Sequence, residues 1–193
     1  MPLFSAFLSI YIVIVISNLG LILVIRTDTR LSTPMYSFLR NLAFVDFCYN
    51  SVIKPKMLSN FLYQRNVVSF HACAAQLGCF LNFMVSECLL LVSMAHDRYM
   101  AICDPLVYMV RMSPGLCTQL VAIPYGYSSW MALFHTTLTF HLCYCCSNII
   151  NHFYCDDMPL LRFTCSDTHS KELCLLICAG ITFLSSVLIV FVS

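Results

Sequence analysis

The chain has 193 residues, of which 60% are hydrophobic and 10% are charged, and its mean hydropathy is +0.84. Soluble domains carry about 25% charged residues, so this composition excludes a soluble globular protein and indicates a protein of the lipid bilayer. The formal net charge of +1 also argues against nucleic acid as a partner, because there is no excess of basic residues to bind phosphates.

Five long apolar runs follow one another along the chain and predict membrane-spanning helices. The first run, Leu3–Ile25, has 23 residues without a charge. As a helix rising about 1.5 Å per residue it would be roughly 34 Å long, which exceeds the roughly 30 Å hydrocarbon core of a bilayer. We therefore predict an all-α membrane protein whose helices lie at about residues 3–26, 35–60, 68–100, 116–140 and 172–193.

Prolines and polar stretches separate the predicted helices. Pro34 opens the second helix, because proline is tolerated in a first turn. Pro55, which stands between two lysines, is expected to break the same helix. Pro124 is expected to kink the fourth helix. The one long polar stretch, at about residues 141–171, is dense in cysteine and predicts an extended loop.

One polar side chain stands out in each of the first three apolar runs: Asn18, Asp46 and Glu87. A carboxyl group inside a membrane is costly and is by default a functional hypothesis, although a protonated Asp46 could simply bond to Asn18 or to neighbouring backbone. In a medium of low dielectric constant, two neighbouring carboxylates repel each other strongly, so keeping both ionised costs free energy. We expect Asp46 and Glu87 to share a proton or to bind a cation, and such a pair would also suit an ion-coupled transporter.

A charged triplet, Asp97-Arg98-Tyr99, stands at the end of the third run, where the chain would leave the bilayer. A carboxylate beside a guanidinium can form a charge-assisted pair. Such a pair would lock the helix end, and its release would expose the donors of Arg98 to a partner. For the triplet alone, an ordinary interfacial salt bridge is the simpler interpretation.

The residues around the triplet resemble a known family. Met94–Tyr108 is similar to the olfactory receptor pattern MAYDRYVAICNPLLY, with departures at His96, Met100, Asp104 and Val107. Leu31–Lys56 resembles the signature PMYFFLSNLSFVDICYSS of the same family. Ser17-Asn18-Leu19 resembles its Gly-Asn-Leu element, and the resemblance as a whole covers almost the entire chain.

This resemblance implies a rhodopsin-like G-protein-coupled receptor with seven helices that cross the plasma membrane. Its ligand would be a small, mostly apolar odorant, and its partner would be a heterotrimeric G protein contacted by Arg98, with help from Pro105 and Leu106. Helices six and seven would follow Ser193, so we expect a fragment, a truncated reading frame or a pseudogene product. Such a product could fail to signal and be retained in the endoplasmic reticulum.

The resemblance also implies where an odorant would bind. The candidate positions on the third helix are spaced i, i+1, i+4, i+5 and i+8 and share one helical face. Without the resemblance, ordinary helix packing would be the preferred explanation of this face. The implied ligand contacts are Phe80, Leu81, Met84, Val85 and Cys88 on the third helix and Cys178, Ile181 and Thr182 on the fifth. In the family, the positions of Asp46 and Glu87 form a buried ion or proton site below the ligand pocket, and Asn18 would join it here.

The chain contains 13 cysteines, and most of them lie inside apolar runs, where they are expected to act as small buried hydrophobes. Disulfides persist in oxidising compartments, so we place the cysteine-rich loop on the outer side of the membrane. The resemblance implies two disulfides, Cys73–Cys155 and Cys145–Cys165. Cys143 and Cys146 are then left over, so other pairings stay open.

Alternative functions follow from other features of the sequence. His152 and Cys155 are three residues apart and could share a metal ion on a helical turn, unless a disulfide consumes the thiol. A fragment that binds and retains a full-length receptor is a further alternative. An enzyme is the least favoured class, because no Ser/His/Asp set stands out and the side chains of the adjacent Asp156 and Asp157 would diverge. We expect no cofactor.

Overall fold

The computed structural model describes residues 2–62, 70–141 and 169–192, and within these ranges the chain forms six α-helices and one short 3-10 turn. The helices are α1 (Pro2–Thr27), α2 (Pro34–Leu62), α3 (Phe70–Cys103), α4 (Pro105–Arg111), α5 (Pro114–Phe140) and α6 (His169–Val192). The 3-10 turn, Thr29–Leu31, joins α1 to α2. The predicted all-α fold is confirmed. Its five long helices are accompanied by α4, a seven-residue helix that the apolar runs did not indicate.

The surface of the bundle is suited to hydrocarbon. Ile25 is the one buried side chain among those described in α1, whereas Val13, Ile16 and Leu23 are 63–66% exposed. Each Å² of apolar surface left in water would cost about 25 cal/mol, so this face needs a lipid environment. Among the described residues, Phe4–Thr27 and Phe70–Cys103 are each long and apolar enough to cross a bilayer.

The central element is α3, which packs against α2, α5 and α6, while α1 packs on α2. Apolar association gives no advantage over lipid inside a membrane, so hydrogen bonds and close packing hold helices together there. The interface of α3 with α5 has both. The hydroxyls of Ser86 and Ser128 are fully buried and lie 2.6 Å apart. One helical turn away, the Asn82 amide donates to the Ser129 hydroxyl at 2.9 Å.

Pro55 does not end α2, contrary to the prediction, because the helix continues through it to Leu62. A proline removes one helical hydrogen bond and disturbs the carbonyl groups of the preceding turn. In a membrane these carbonyls need other donors, and the side-chain amide of Gln76 on α3 donates to the Val52 carbonyl oxygen at 3.4 Å. Packing against α3 therefore supports α2 next to the proline. Pro124 also lies inside a continuous helix, α5.

The junction between α3, α4 and α5 is made by two short connections. Asp104 separates α3 from α4, and Pro105 occupies the first turn of α4, where its missing N–H costs nothing. Ser113 caps α5, because its hydroxyl accepts from the Leu116 backbone N–H at 3.4 Å. These two connections link α3 to α4 and α4 to α5, and α4 contacts α3.

Candidate functional site

Asp97, the acid of the charged triplet, is almost completely buried at the end of α3, with 2% of its surface exposed. Its carboxylate accepts a hydrogen bond from the phenol of Tyr108 on α4, at 2.8 Å. Arg98 is exposed and Tyr99 is half-buried. The carboxylate of the triplet is therefore held by a neighbouring helix, and the guanidinium faces outward.

The expected pair between Asp97 and Arg98 is not formed. Among the described residues the only ion pair joins Arg111 to Asp104 at 3.5 Å, on the exposed side of α4. The physical reason is the helix itself, since consecutive side chains are about 100° apart around the axis and do not face each other. The triplet therefore splits between two environments, one buried and one exposed.

Tyr108 is a residue of this site that sequence reasoning did not single out, although it is the last residue of the matched pattern. Its ring packs against a cluster that includes Phe38, Met94 and Met112, which come from α2, α3 and the start of the α4–α5 connection. Burial, together with the hydrogen bond to Asp97 and the charge of that carboxylate, raises the pKa of Tyr108 to about 12. The phenol therefore stays protonated at neutral pH and remains able to donate.

Large apolar side chains stand exposed at the corner between α3 and α4. Ile102 is 78% exposed and Leu106 is 95% exposed. Pro105 and Arg98 are also exposed on this corner. The combination of an uncovered apolar side chain with a nearby cation provides a surface that another protein can bind.

The acids of the second and third apolar runs, Asp46 and Glu87, are both half-buried and meet in a second site between α1, α2 and α3. The Asn18 amide donates to one carboxylate oxygen of Asp46 at 2.7 Å, and the Asn50 amide donates to the other at 2.9 Å. Glu87 lines the same cleft, whose volume is about 180 Å³, together with Leu21 and Leu42. Asn50 was missed from the sequence, although its i+4 spacing from Asp46 places it on the same face of α2.

The candidate ligand contacts on α3 do not share one environment: one contacts α2, one is buried against α5, and others are exposed. Phe80 contacts the Tyr49 ring of α2, with ring centroids 5.5 Å apart. Leu81 is buried in a core cluster with Leu77 and with Ala132 of α5. Val85 is half-buried, whereas Met84 and Cys88, one turn apart, are exposed.

The candidate contacts on α6 are less enclosed. Ile181 is 61% exposed. Thr182 and Cys178 are half-buried, and the Thr182 hydroxyl donates to the Cys178 backbone oxygen at 2.8 Å.

Cys73 is buried near the start of α3 and is disulfide-bonded. The seven other described cysteines are free thiols. The remaining members of the predicted disulfides, Cys145, Cys155 and Cys165, lie outside the described residues, as do the two leftover cysteines and His152 of the alternative metal pair. Within the described ranges no group of three or more side chains could hold a metal ion.

Comparison with known proteins identifies the family. The family model described as olfactory receptor matches residues 7–193. Olfactory receptor 8U9 of Mus musculus is 74% identical over all 193 residues, which correspond to 62% of its own length. Olfactory receptor 8U8 of Homo sapiens is 74% identical over the whole chain and 60% of its own length, and Olfactory receptor 8U1 of Homo sapiens is 72% identical over the whole chain and 62% of its own length. This chain, which spans 60–62% of the length of these relatives, belongs to the olfactory receptor family.

Proposed function

We propose that this chain forms the odorant-binding and G-protein-coupling part of an olfactory receptor, which acts as a ligand-controlled switch and not as an enzyme. The observation that carries the proposal is the exposed corner between α3 and α4. There Arg98 and Ile102 in the last turns of α3 and Leu106 in α4 present one cation and two large apolar side chains at the end of a membrane-spanning helix. Exposed apolar groups beside polar ones are typical of protein interaction sites.

The odorant site of this proposal lies between α3 and α6, which pack against each other. Met84 and Cys88 are exposed on α3, and their soft, polarisable sulfur groups adapt to ligands of different shape. An apolar pocket with few polar anchors suits a small volatile molecule. The full set of proposed contacts is Phe80, Leu81, Met84, Val85, Cys88, Cys178, Ile181 and Thr182.

Signalling in this proposal requires two arrangements of the helices with different affinities for the odorant. Binding would shift the packing of α3 and change what the end of this helix presents to the cytosol. Arg98 would then contact the G protein, with Pro105 and Leu106 assisting. Because Asp97 is held by Tyr108, the arginine needs no release from the acid before it can act.

The acid pair is proposed to be an ion or proton site that stabilises one of the two arrangements. Both oxygens of Asp46 are occupied by the amides of Asn18 and Asn50. Glu87 makes no hydrogen bond with any described residue, although it lines the same cleft. A proton shared with Glu87, or a cation between the two carboxyls, would relieve their repulsion.

We propose the plasma membrane as the location of the receptor, as a multi-pass protein with the 141–171 loop outside. The exposed apolar face of α1 supports a position in the lipid bilayer. The cysteine content of the loop supports the oxidising side.

The experiment that tests the proposal uses a completed receptor, in which the C-terminal segment of the mouse relative follows this chain. The receptor is expressed in cells, and odorant mixtures are screened for G-protein activation. Arg98→Ala should abolish the odorant-evoked response, because it removes the cation of the coupling surface. Arg26→Ala is the matched control, since Arg26 is also exposed and lies in the last turn of α1, whose end belongs on the same side of the membrane as the end of α3.

Surface expression is measured for each variant, so that a loss of response can be separated from a loss of protein. A response of Arg98→Ala equal to that of the parent, at equal surface level, would show that Arg98 does not couple the receptor to its G protein.

A further inference from the structure

We propose that Tyr36, Arg40 and Phe44 on α2 form a binding site for an anionic phospholipid of the membrane leaflet that surrounds the start of this helix. In the proposed orientation this is the cytosolic leaflet. The site involves neither an odorant nor a G protein, so it goes beyond the proposed function and can be tested separately from it.

Arg40 is the residue that indicates a ligand. It is half-buried on α2 and forms neither an ion pair nor a hydrogen bond with any described residue. Its guanidinium carries five N–H donors and a permanent charge, and taking such a group out of water is costly unless an anion pairs with it. The olfactory receptor signature PMYFFLSNLSFVDICYSS has serine at this position, so the charge is a departure of this chain from that pattern. The arginine therefore favours an anion supplied by its surroundings.

The position of Arg40 along α2 brings its charge to the level of the lipid phosphates. The residue lies six positions after Pro34, the start of the helix, which is a depth of about 9 Å along the axis. Side chains on an α-helix tilt toward its N-terminus, so Arg40 leans back to the membrane surface at which α2 begins. Long cationic side chains near helix ends reach the interface in this way.

The neighbours on the same face of α2 suit the other parts of a phospholipid. Tyr36 and Phe44 stand four residues before and after Arg40 and so share its face. The Tyr36 hydroxyl bonds to no described residue and can donate to a phosphate oxygen. Phe44 is 49% exposed and offers apolar surface to an acyl chain. A hydroxyl, a cation and an aromatic ring thus follow one another from the surface inward, in the order of headgroup and acyl chain.

Charge complementarity selects an anionic lipid over a zwitterionic one. The one acid within α2 is Asp46, and both of its oxygens accept from the amides of Asn18 and Asn50. No carboxylate of α2 therefore competes for Arg40. One arginine at the membrane surface raises the affinity for anionic lipid about fivefold, the equivalent of about 1 kcal/mol.

The test is a titration of the 193-residue chain, in a neutral detergent, with phosphatidylserine and with phosphatidylcholine as the reference lipid. Native mass spectrometry measures the fraction of the chain that carries bound lipid. Phosphatidylserine should bind more tightly than phosphatidylcholine, and Arg40→Ser should lower its affinity about fivefold. Arg40→Lys keeps the charge but loses the bidentate donors, so its loss should be smaller.

Two further variants serve as control and as independent evidence. Arg26→Gln is the matched control, because it removes an exposed arginine from the last turn of α1 and should leave the affinity nearly unchanged. Tyr36→Phe removes only a hydroxyl and should weaken phosphatidylserine binding roughly twofold or more, as expected for one net hydrogen bond. Thermal unfolding verifies that each variant is folded, and Tyr36→Phe carries the test if Arg40→Ser is not.

Three outcomes would overturn the inference. The first is equal affinity of the parent chain and Arg40→Ser for phosphatidylserine, and the second is an equal loss in Arg40→Ser and Arg26→Gln, which would indicate non-specific attraction of charge. The third concerns inorganic phosphate as a competitor. It should not displace the lipid, because it lacks the acyl chain that packs on Phe44, and displacement would indicate a site for a free anion.

Discussion

The two carboxyl groups inside the bundle differ in how their oxygens are satisfied. Asp46 accepts one amide on each oxygen, from Asn18 and from Asn50. Glu87 lines the same cleft without a hydrogen bond to any described residue. Ordinary hydrogen bonds, one from α1 and one from within α2, therefore account for Asp46, while Glu87 retains the capacity to bind a proton or a cation. A substitution at Glu87 can therefore distinguish a purely structural contact from an ion or proton site.

At this residue we predict a sodium-dependent stability. The chain in detergent should melt a few degrees higher with sodium than with an equal concentration of choline, because about 1 kcal/mol of binding shifts the melting temperature of a chain this size by roughly 2–4 °C. Glu87→Gln should remove the difference. Asp104→Asn, which changes an exposed acid on α4, should preserve it.

The outcome also distinguishes the two forms of the proposal. A melting temperature that depends on pH but not on sodium, with the dependence lost in Glu87→Gln, would indicate a shared proton. If the parent chain showed neither dependence, the acid pair would be a structural contact only.

Among the helices, the contact of α3 with α5 depends on a close approach at one glycine. A Cβ atom added at Gly78 would lie 3.2 Å from the Thr136 hydroxyl oxygen. Threonine is restricted at χ1 in a helix, so it cannot move aside freely. At Gly126 on α5, by contrast, nothing lies within 4 Å of an added Cβ.

At the scale of this helix pair we predict that Gly78→Ala melts lower than Gly126→Ala. Both changes gain the same helix propensity, so the difference measures the overpacking at Gly78, which costs about 1–3 kcal/mol. The melting temperatures of the two variants, measured by thermal unfolding in the same detergent, test this prediction.

A second change tests the cause. Thr136→Ala should restore the stability of Gly78→Ala, at little cost, since the Thr136 hydroxyl is buried with no hydrogen-bond partner among the described residues. Equal melting temperatures for Gly78→Ala and Gly126→Ala would mean that α3 and α5 are not in close contact at this position.

For the whole molecule, the order of the long helices fixes which ends share a side of the membrane. The end of α1, the end of α3 and the start of α5 belong on one side, and Phe38, Met94 and Met112 pack together there. The start of α3 and the end of α5 meet at the opposite side, where the rings of Phe70 and Phe140 are 4.7 Å apart. With α1 packed on α2 and α6 packed on α3, all five long helices are joined by contacts within the described residues.

We predict that the first of these sides is cytosolic. In sealed microsomes, whose outer surface is the cytosolic one, a membrane-impermeant maleimide should label Thr29→Cys above the background of the unaltered chain. His141→Cys, at the exposed end of α5, should gain label only after the membrane is permeabilised. The reverse pattern would invert the orientation and remove Arg98 from the cytosol.

Local properties of the chain sufficed for the helices and for the family. Runs of more than 20 apolar residues demand helices in lipid, because every backbone group must be bonded within its own segment. Short motifs, such as the one around Arg98, are read directly from consecutive residues. These features need no knowledge of which helices touch, so composition and spacing could predict the all-α bundle and its five long helices.

The tertiary structure decided which polar groups meet. Asp97 bonds to Tyr108, eleven residues away, and not to its neighbour Arg98, because a helix points adjacent side chains apart. Pro55 stays inside α2 where Gln76 of α3 supports the turn before it. Both outcomes depend on contacts between helices, and the free energy of a buried polar group is set by the partner it finds and not by its position in the sequence.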